Sequence, residues 1–299
     1  MDRVVVATMV TPGEEAFRGL MLANSIREFG GSLAGLAIWG LVPDGPVRLP
    51  LAAVARFEDA GVRLVPFQTD PALGSVPSSE RVTALATAES LGGCELLVWI
   101  DPDSLVVGDP SGTIIDDPAA LGYRPVHRRL IGSPWDEPLD RYWSLIFEAC
   151  EVAAEDLYRM TTILGESIRP YIGTGVFTIR TDRRLGALWA DTLARVSRHR
   201  DMADHYRRDR RYHVFLHRAV WTGVLLRHLE RSEMHLLAPT VDYPLHLHHE
   251  IRAGRRALSL DSLTVVRTGA VLDDPEWRQA PLLEPLVPWL ESQEFMLGR

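Results

Sequence analysis

The chain has 299 residues, of which 46% are hydrophobic, so it can bury a full core in one α/β domain with an extension. Its net charge of −8 argues against general nucleic-acid binding, because proteins that bind nucleic acids normally present a basic face. All 32 basic residues are arginines, and the lack of lysine excludes a Walker-type phosphate loop, a Schiff-base enzyme and a pyridoxal phosphate enzyme.

The hydropathy pattern predicts a cytoplasmic protein without a membrane span. Residues 1–7 form a short strand pattern that lacks the long apolar core of a signal peptide, and no later apolar run approaches membrane-spanning length. The two cysteines, Cys94 and Cys150, lie far apart on apolar faces, so we expect core thiols rather than a disulfide framework or a cysteine metal site.

Strand and helix patterns alternate over residues 1–110, in the order expected of a parallel, doubly wound sheet. The predicted strands are 4–8, 36–42, 62–67 and 95–100, and the predicted helices are 14–29, 50–60 and 78–91. In such sheets, ligands bind beyond the carboxyl ends of the strands.

The second half has a less regular pattern. Its predicted helices are 139–150, 153–164, 182–198 and 214–229, and its predicted strands are 121–126, 171–180, 235–238 and 263–268. We therefore expect a single α/β domain over residues 1–299, with a mixed, mostly parallel central sheet flanked by helices.

Two carboxylates follow the apolar strand 96–100 directly, at Asp101 and Asp103. Carboxylate oxygens suit Mn²⁺ or Mg²⁺, which leave coordination positions for water and substrate phosphates. Pro102 restricts the backbone between the two acids, so their spacing is fairly rigid. The alternative is a solvated turn, which Asp and Pro also favour. An acidic protein that binds an anionic ligand needs a bridging cation, and this consideration favours the metal site.

Three segments, 98–110, 170–177 and 243–249, resemble motifs of the GT-A fold nucleotide-diphospho-sugar transferases, especially glycosyltransferase family 8. The first resembles the family's metal-binding Asp-x-Asp strand. The second resembles its Asn-Ser-Gly sugar-contact strand, with Gly173 in place of the usual Asn. The third lies where the family has a histidine metal ligand, but the Gly and Lys that usually follow it are missing.

The resemblance, which covers about residues 1–250, implies a GT-A-like (Rossmann-like) fold. Residues 1–110 would then be the nucleotide-binding half, and residues 111–299 the sugar and acceptor half with a C-terminal extension. It also implies a Mn²⁺ or Mg²⁺ cofactor held by Asp101, Asp103 and a late histidine. His246 and His248 have strand spacing and would face the same side, so either is a candidate ligand; a surface histidine cluster is the alternative.

Further candidates belong to the same sheet edge or follow from the resemblance. The nucleotide-binding candidates are Thr8, Met9, Val10 and Arg81, and the substrate-binding candidates are His127, Arg128, Arg159, Gly173, Thr174 and His217. Some of them have a structural alternative. The residues after the first strand could simply pack in a loop, and Arg81 could be an exposed side chain. Arg159 could form an ion pair with Glu155, and His217 could be a core histidine.

Together these features predict a metal-dependent enzyme that acts on a nucleotide-diphosphate sugar and transfers the glycosyl group to a hydroxyl of a small-molecule or glycan acceptor. The alternative is a nucleotide-sugar mutase that interconverts pyranose and furanose rings without an acceptor. A catalytically silent sugar-nucleotide binding module is a third reading. The sequence marks out no catalytic base, since Asp136, Asp140 and Asp242 cannot be ranked.

Overall fold

A seven-stranded mixed sheet forms the centre of the computed structural model, which describes residues 3–13, 16–269 and 271–297. The strands of this sheet, in spatial order, are β10 (Met234–Leu236), β6 (Leu121–Tyr123), β9 (Val176–Arg180), β4 (Leu96–Ile100), β1 (Val4–Met9), β2 (Ala37–Pro43) and β3 (Val62–Phe67). Neighbours β4, β1, β2 and β3 are parallel, whereas β9 runs antiparallel to both β4 and β6. The predicted mixed, mostly parallel sheet is confirmed.

Helices cover both faces of the sheet, because side chains alternate between the faces along each strand. The helices are α1 (Ala16–Phe29), α2 (Leu51–Asp59), α3 (Ser79–Leu91), α4 (Arg141–Cys150), α5 (Leu185–Ser197), α6 (Met202–Arg208), α7 (Arg211–Val214), α8 (Leu216–His228) and α9 (Val287–Leu297). Val5 and Trp99 point into one apolar cluster with α3, α4, α5 and α8, whereas Val6 and Val98 point into another with α1 and α2.

A smaller three-stranded sheet lies beyond the end of β4. It consists of β5 (Ser104–Val106), β12 (Val265–Arg267) and β11 (Tyr243–Pro244). β12 pairs antiparallel with β5 and parallel with β11. This sheet brings the late part of the chain to the carboxyl end of β4, where the two predicted metal-binding carboxylates lie.

The element predictions are confirmed for the first half, apart from the first two residues of the predicted helix 14–29, which lie outside the described part of the chain. The predicted helix 153–164 is wrong. After a short 3-10 turn at Ala154–Asp156, the chain forms a hairpin of β7 (Met160–Thr161) and β8 (Ser167–Ile168). Gly165, between the two strands, has a positive φ of 88°, which is incompatible with a continuous helix. The chain therefore turns here and pairs as a hairpin, although its hydropathy pattern is helical.

Two other predictions need correction. The strand predicted over 171–180 begins only at Val176. The late histidines lie in a 3-10 helix, Leu245–Glu250, rather than in a strand, so the period-two argument that put His246 and His248 on one face does not hold.

Cys94 and Cys150 are both buried in the core, as predicted. No helix in the described ranges is both long enough and apolar enough to cross a bilayer.

Candidate active site

Asp101 lies at the carboxyl end of β4 with a fully buried side chain. Its backbone N–H donates to the carbonyl of Gly175 (2.8 Å), and its Oδ1 accepts a hydrogen bond from Nε1 of Trp99 (2.9 Å). These bonds fix the carboxylate and leave Oδ2 for other partners. A buried carboxylate needs such compensation, because burial without partners costs several kcal/mol.

The guanidinium of Arg267 joins the two predicted metal-binding carboxylates. Its Nη2 lies 2.8 Å from Oδ2 of Asp101 and 3.0 Å from Oδ1 of Asp103. The register of the small sheet sets this position, since Arg267 pairs with Ser104 in the β12–β5 ladder. The next residue, Thr268, donates its N–H and its hydroxyl to the carbonyl of Asp103, at 2.9 and 2.8 Å.

Arg81, in the first turn of α3, approaches the same carboxylate from the other side. Its Nη2 lies 3.0 Å from Oδ2 of Asp101, and its Nη1 donates to Oγ1 of Thr174 at 2.9 Å. Two guanidinium groups therefore share one carboxylate oxygen. The predicted candidates Arg81 and Thr174 meet in direct contact at the end of β4.

Asp242 is a third buried carboxylate beside this group. Its Oδ2 lies 3.0 Å from Nε2 of His127, and its Oδ1 lies 3.7 Å from Nη1 of Arg267. Its backbone has a φ of 58°, a conformation that costs a non-glycine residue free energy and is found mainly where the surroundings enforce it. Of the three acids that the sequence leaves unranked as bases, Asp242 is the one beside the cluster. Asp140 caps α4, and Asp136 is exposed near Arg159.

Burial and opposite charges together set the pKa values in the cluster, which we define as Arg81, Asp101, Asp103, Asp242 and Arg267. Burial lowers the pKa of Arg267, but the three carboxylates outweigh it and raise the pKa well above the ordinary value. Burial raises the pKa of Asp242, but His127 and Arg267 outweigh it and lower the pKa. For Asp103, burial dominates and the pKa is raised. Arg267 is therefore a permanent cation beside an ionised Asp242.

Two cavities meet at the cluster. One, of about 310 Å³, is lined by Met9, Thr11, Arg18, Ser78, Glu80, Arg81, Pro102 and Asp103. The other, of about 330 Å³, is lined by His127, Arg128, Leu130, Arg218, His246, Leu247 and Arg267. Asp103 lines the first cavity and its partner Arg267 lines the second. A ligand that extends from one cavity into the other would therefore lie next to this ion pair. A larger cavity of about 620 Å³, between α1 and α2, includes no member of the cluster.

The comparison with protein families decides the identity of the chain. A family model described as the Rhodobacterales glycosyltransferase domain matches residues 6–210. The chain belongs to this glycosyltransferase family. Two solved structures of the galactosyltransferase LgtC, one with donor and acceptor sugar analogs and one of an active-site mutant, are similar at a TM-score of 0.52. Their sequence identities to the chain are 11% and 12%, and each match covers 88% of this chain and 86% of the other.

This glycosyltransferase has the GT-A fold, as its resemblance to family 8 predicts, and it is an enzyme of glycosyl transfer. No curated protein matches it significantly in sequence.

The residues after β1 have different environments in the glycosyltransferase. Met9 lines the 310 Å³ cavity, but Val10 is fully buried against Gly19 and Gly40 in the apolar core. Thr8 is buried, and its hydroxyl has no hydrogen-bond partner among the described residues. Met9 therefore borders a cavity, whereas Val10 packs in the core.

Of the predicted substrate-binding residues, His127 and Arg128 line the 330 Å³ cavity. Arg128 also pairs with Glu250, at 2.5 Å. Gly173 is buried and lines neither cavity, and its N–H donates to the carbonyl of Arg124 (2.8 Å). The structure thus brings His127 into contact with Asp242 of the cluster and places Arg128 on the same cavity as Arg267, but it does not place Gly173 on a cavity lining.

Two other candidates lie elsewhere. Arg159 is exposed, donates to Oγ of Ser167 at 2.7 Å and lies 3.8 Å from Asp136, so it contacts neither cavity lining nor its proposed partner Glu155. His217 is buried beside Trp189, and burial together with Arg81 and Arg218 lowers the pKa of its imidazole far below the ordinary value. This histidine is neutral and belongs to the packing beneath the cluster.

The late histidines do not converge on the carboxylates. Nδ1 of His248 lies 3.0 Å from the hydroxyl of Tyr243, and the exposed His246 has its ring 6.4 Å from that of His127. Within the described ranges, no group of three or more His, Cys, Asp or Glu side chains could hold a metal ion. Since Nη2 of Arg267 lies between the Asp101 and Asp103 carboxylates, the residues present do not fit the expected Mn²⁺ or Mg²⁺.

Sequence reasoning missed Arg267 and Arg218. One signal was present for Arg267: a charged residue ends the apolar strand Val265–Arg267, and a buried arginine needs acidic partners. Arg218 follows His217 in an otherwise apolar helix and lines the 330 Å³ cavity.

Proposed function

We propose that the chain transfers a glycosyl group from a nucleotide-diphosphate sugar to a hydroxyl of a glycan or small-molecule acceptor. The observation that carries the proposal is the arginine-bearing cluster between two cavities, at the sheet edge where ligands of such folds bind, in a chain of a glycosyltransferase family. The combined volume of the two cavities is in the range of small-molecule sites.

The diphosphate would lie against Arg81 and Arg267. Both side chains are only 15% exposed, and guanidinium groups bind phosphate oxygens in a bidentate manner. The nucleoside would occupy the 310 Å³ cavity beside Met9, Thr11 and Ser78. An overall negative chain would in this way bind an anionic donor through a local concentration of arginine.

The sugar and the acceptor would occupy the 330 Å³ cavity. Polar side chains of His127, Arg128 and Arg218 line it. The two arginines donate hydrogen bonds to hydroxyl oxygens, and an imidazole can donate or accept one. Thr174 accepts a hydrogen bond from Arg81 and is buried beside the cluster. This arrangement puts the bond between sugar and diphosphate next to the cluster.

In the reaction, the bond between the anomeric carbon and the diphosphate oxygen breaks, and the nucleoside diphosphate leaves with the electron pair. Arg81 and Arg267 stabilise the charge that develops on the leaving oxygen. The acceptor oxygen forms the new bond to the anomeric carbon and gives its proton to His127. Asp242, 3.0 Å from Nε2 of His127, orients the ring and stabilises the imidazolium.

The sequence predicts Mn²⁺ or Mg²⁺ as cofactor, but no step above uses a metal, because the cluster does not fit one. We favour glycosyl transfer to an acceptor over the mutase reaction, because the chain belongs to a glycosyltransferase family.

The proposal is tested by thermal stabilisation with UDP, GDP, dTDP and ADP, followed by donor turnover with the matching nucleotide sugar. At least one nucleotide should raise the melting temperature of the wild type, because a ligand that binds the folded state stabilises it. Arg81→Met should lose the effect, whereas Arg227→Met, at an exposed position beside Glu151, should retain it. If none of the four nucleotides raised the melting temperature, the proposal would be contradicted.

Incubation of the matching nucleotide sugar without acceptor separates transfer from the mutase. A transferase leaves the donor intact or hydrolyses it slowly, and adding acceptors from a glycan panel accelerates release of nucleoside diphosphate. Accumulation of a ring isomer without acceptor would instead establish the mutase.

A further inference from the structure

We propose that Arg267 supplies the positive charge at the Asp101–Asp103 pair, so that this glycosyltransferase binds its donor diphosphate without a divalent cation. This inference rests on the proposed function, since it concerns how the same site holds the donor. The inference also goes beyond the proposed function, because the two aspartates would then hold an arginine side chain in position instead of a metal ion.

The first support is the position of one atom. Nη2 of Arg267 lies 2.8 Å from Oδ2 of Asp101 and 3.0 Å from Oδ1 of Asp103. An ion that bridges two carboxylate oxygens at about 2.1 Å needs the space between them. That space is filled by the nitrogen, and a dication beside a guanidinium would also meet strong repulsion.

The second support is the way in which Arg267 is held. The β12–β5 register fixes its backbone opposite Ser104, and both bonds from Thr268 to the carbonyl of Asp103 lock the end of the strand. A side chain at Gly175 would collide with Nη1 of Arg267, so the glycine immediately before β9 leaves room for the guanidinium. An arginine that is fixed in this way cannot swing out to admit an ion without losing its hydrogen bond to Asp101 and its ion pair with Asp103.

The third support is the donor set that remains. A third ligand would have to come from the late histidines, but His248 is engaged by Tyr243 and His246 faces His127. Asp242 also lies near the pair, but it is already engaged between His127 and Arg267. Among the described residues the carboxylates thus have cationic partners in place of a coordination sphere.

Unused hydrogen-bond donors, rather than net charge, would bind the diphosphate, because the charges of the site cancel. Asp101, Asp103 and Asp242 are opposed by Arg81 and Arg267, and Arg218 adds a further positive charge on the lining of the 330 Å³ cavity. Each guanidinium has five N–H donors, so Arg81 and Arg267 retain donors for phosphate oxygens after pairing with the carboxylates. The carboxylates orient the arginines, and the arginines bind the anion.

The test has two independent measurements on the full chain. The first is a titration with Mn²⁺ alone, followed by the electron paramagnetic resonance signal of free Mn²⁺. The wild type should show no site tighter than about 1 mM. A tighter site that Asp103→Asn abolishes would overturn the inference and leave the proposed function intact.

The second measurement is calorimetric titration of the stabilising nucleoside diphosphate, in excess EDTA and in Mn²⁺. The dissociation constants of the wild type should agree within about threefold. Arg267→Met should weaken binding in EDTA by at least about tenfold, as expected for a lost charge-assisted bond, whereas Arg267→Lys should weaken it less and Arg227→Met should leave it unchanged. Binding by the wild type in Mn²⁺ but not in EDTA would overturn the inference alone.

If no nucleoside diphosphate binds in either buffer, the proposed function fails, and the inference fails with it. Circular dichroism of Arg267→Met checks that the variant folds. If it does not fold, the two wild-type titrations still decide the question.

Discussion

The guanidinium of Arg267 and the carboxylate of Asp101 form an ion pair of 2.8 Å across 166 residues of sequence. The same carboxylate oxygen lies 3.0 Å from Arg81, so a strand end, a helix start and a late strand meet at one buried atom. Such a buried charge is tolerated only when its partners are in place, because removing one partner exposes the others to an uncompensated desolvation cost. Both the stability and the ligand binding of this edge therefore depend on the same contacts.

Replacing Asp101 with Asn should destabilise the fold. The substitution leaves Arg81 and Arg267 buried with one fewer counter-charge, and breaking a buried pair costs about 3–5 kcal/mol. The control is Glu148→Gln, whose ion pair with Arg141 is exposed and should contribute less than about 1 kcal/mol. Urea unfolding at neutral pH measures both values. Equal, small changes for the two variants would contradict the buried ion-pair cluster.

Gly175→Ala should displace Arg267. A Cβ at this position would collide with Nη1 of Arg267 and approach Oδ1 of Asp242 to 2.9 Å. We expect nucleoside diphosphate binding to weaken by about tenfold or more, since the guanidinium loses its bonding geometry. Gly112→Ala, which has open space around its Cβ, serves as the control and should bind like the wild type. Calorimetric titration compares them, and full affinity in Gly175→Ala would count against the placement of Arg267.

His127→Asn should lower kcat by about 100-fold, the usual contribution of a positioned general base. Nucleoside diphosphate affinity should remain within about threefold, since His127 lies in the 330 Å³ cavity and contacts Asp242 rather than Arg81. The exposed His235 on β10 provides the control variant His235→Asn. Steady-state kinetics with donor and acceptor give the result. An unchanged kcat would remove His127 from the proton transfer.

Glu89 should make stability depend on pH. Its Oε2 accepts hydrogen bonds from the N–H groups of Gly186 (2.7 Å) and Ala187 (3.2 Å) in the first turn of α5. Burial nevertheless raises the pKa of this carboxyl from 4.5 to about 7. Because the folded-state pKa exceeds the unfolded one, the stabilising contribution is complete below pH 4.5 and is lost as the pH rises through about 7.

The free energy of unfolding of the wild type should therefore fall between about pH 5 and pH 8 relative to Glu89→Gln, by at most about 3 kcal/mol. Urea unfolding across this pH range measures both proteins. Parallel profiles of the two would show that Glu89 titrates normally in the folded state.

The sequence was sufficient to predict the first half of the fold, because its information is local. Apolar runs such as Leu96–Ile100 are buried on both faces, and helices with one apolar side separate them. The hairpin of β7 and β8 was not predictable in this way. The sequence pattern of its residues is compatible with a helix, and the surrounding fold, rather than local propensity, determines that Met160 pairs with Ile168.

The same difference between local and long-range information applies to the candidate site. The Asp101 and Asp103 pair is visible in the sequence, because two acids after a buried strand identify a sheet edge. Arg267 was missed, because its position depends on the register of β12 against β5, two strands separated by more than half of the chain. The histidines at 246 and 248 were overvalued, because strand spacing was assumed where the chain forms a 3-10 helix.

A crystal structure of the chain with bound nucleoside diphosphate, grown in the presence of Mn²⁺, tests the central claim most directly. We expect the pyrophosphate oxygens at about 3 Å from both Arg81 and Arg267, with the Arg267 guanidinium still between the carboxylates of Asp101 and Asp103. A pyrophosphate bound away from both arginines, or held by an ion that has displaced Arg267 from the two carboxylates, would contradict the account.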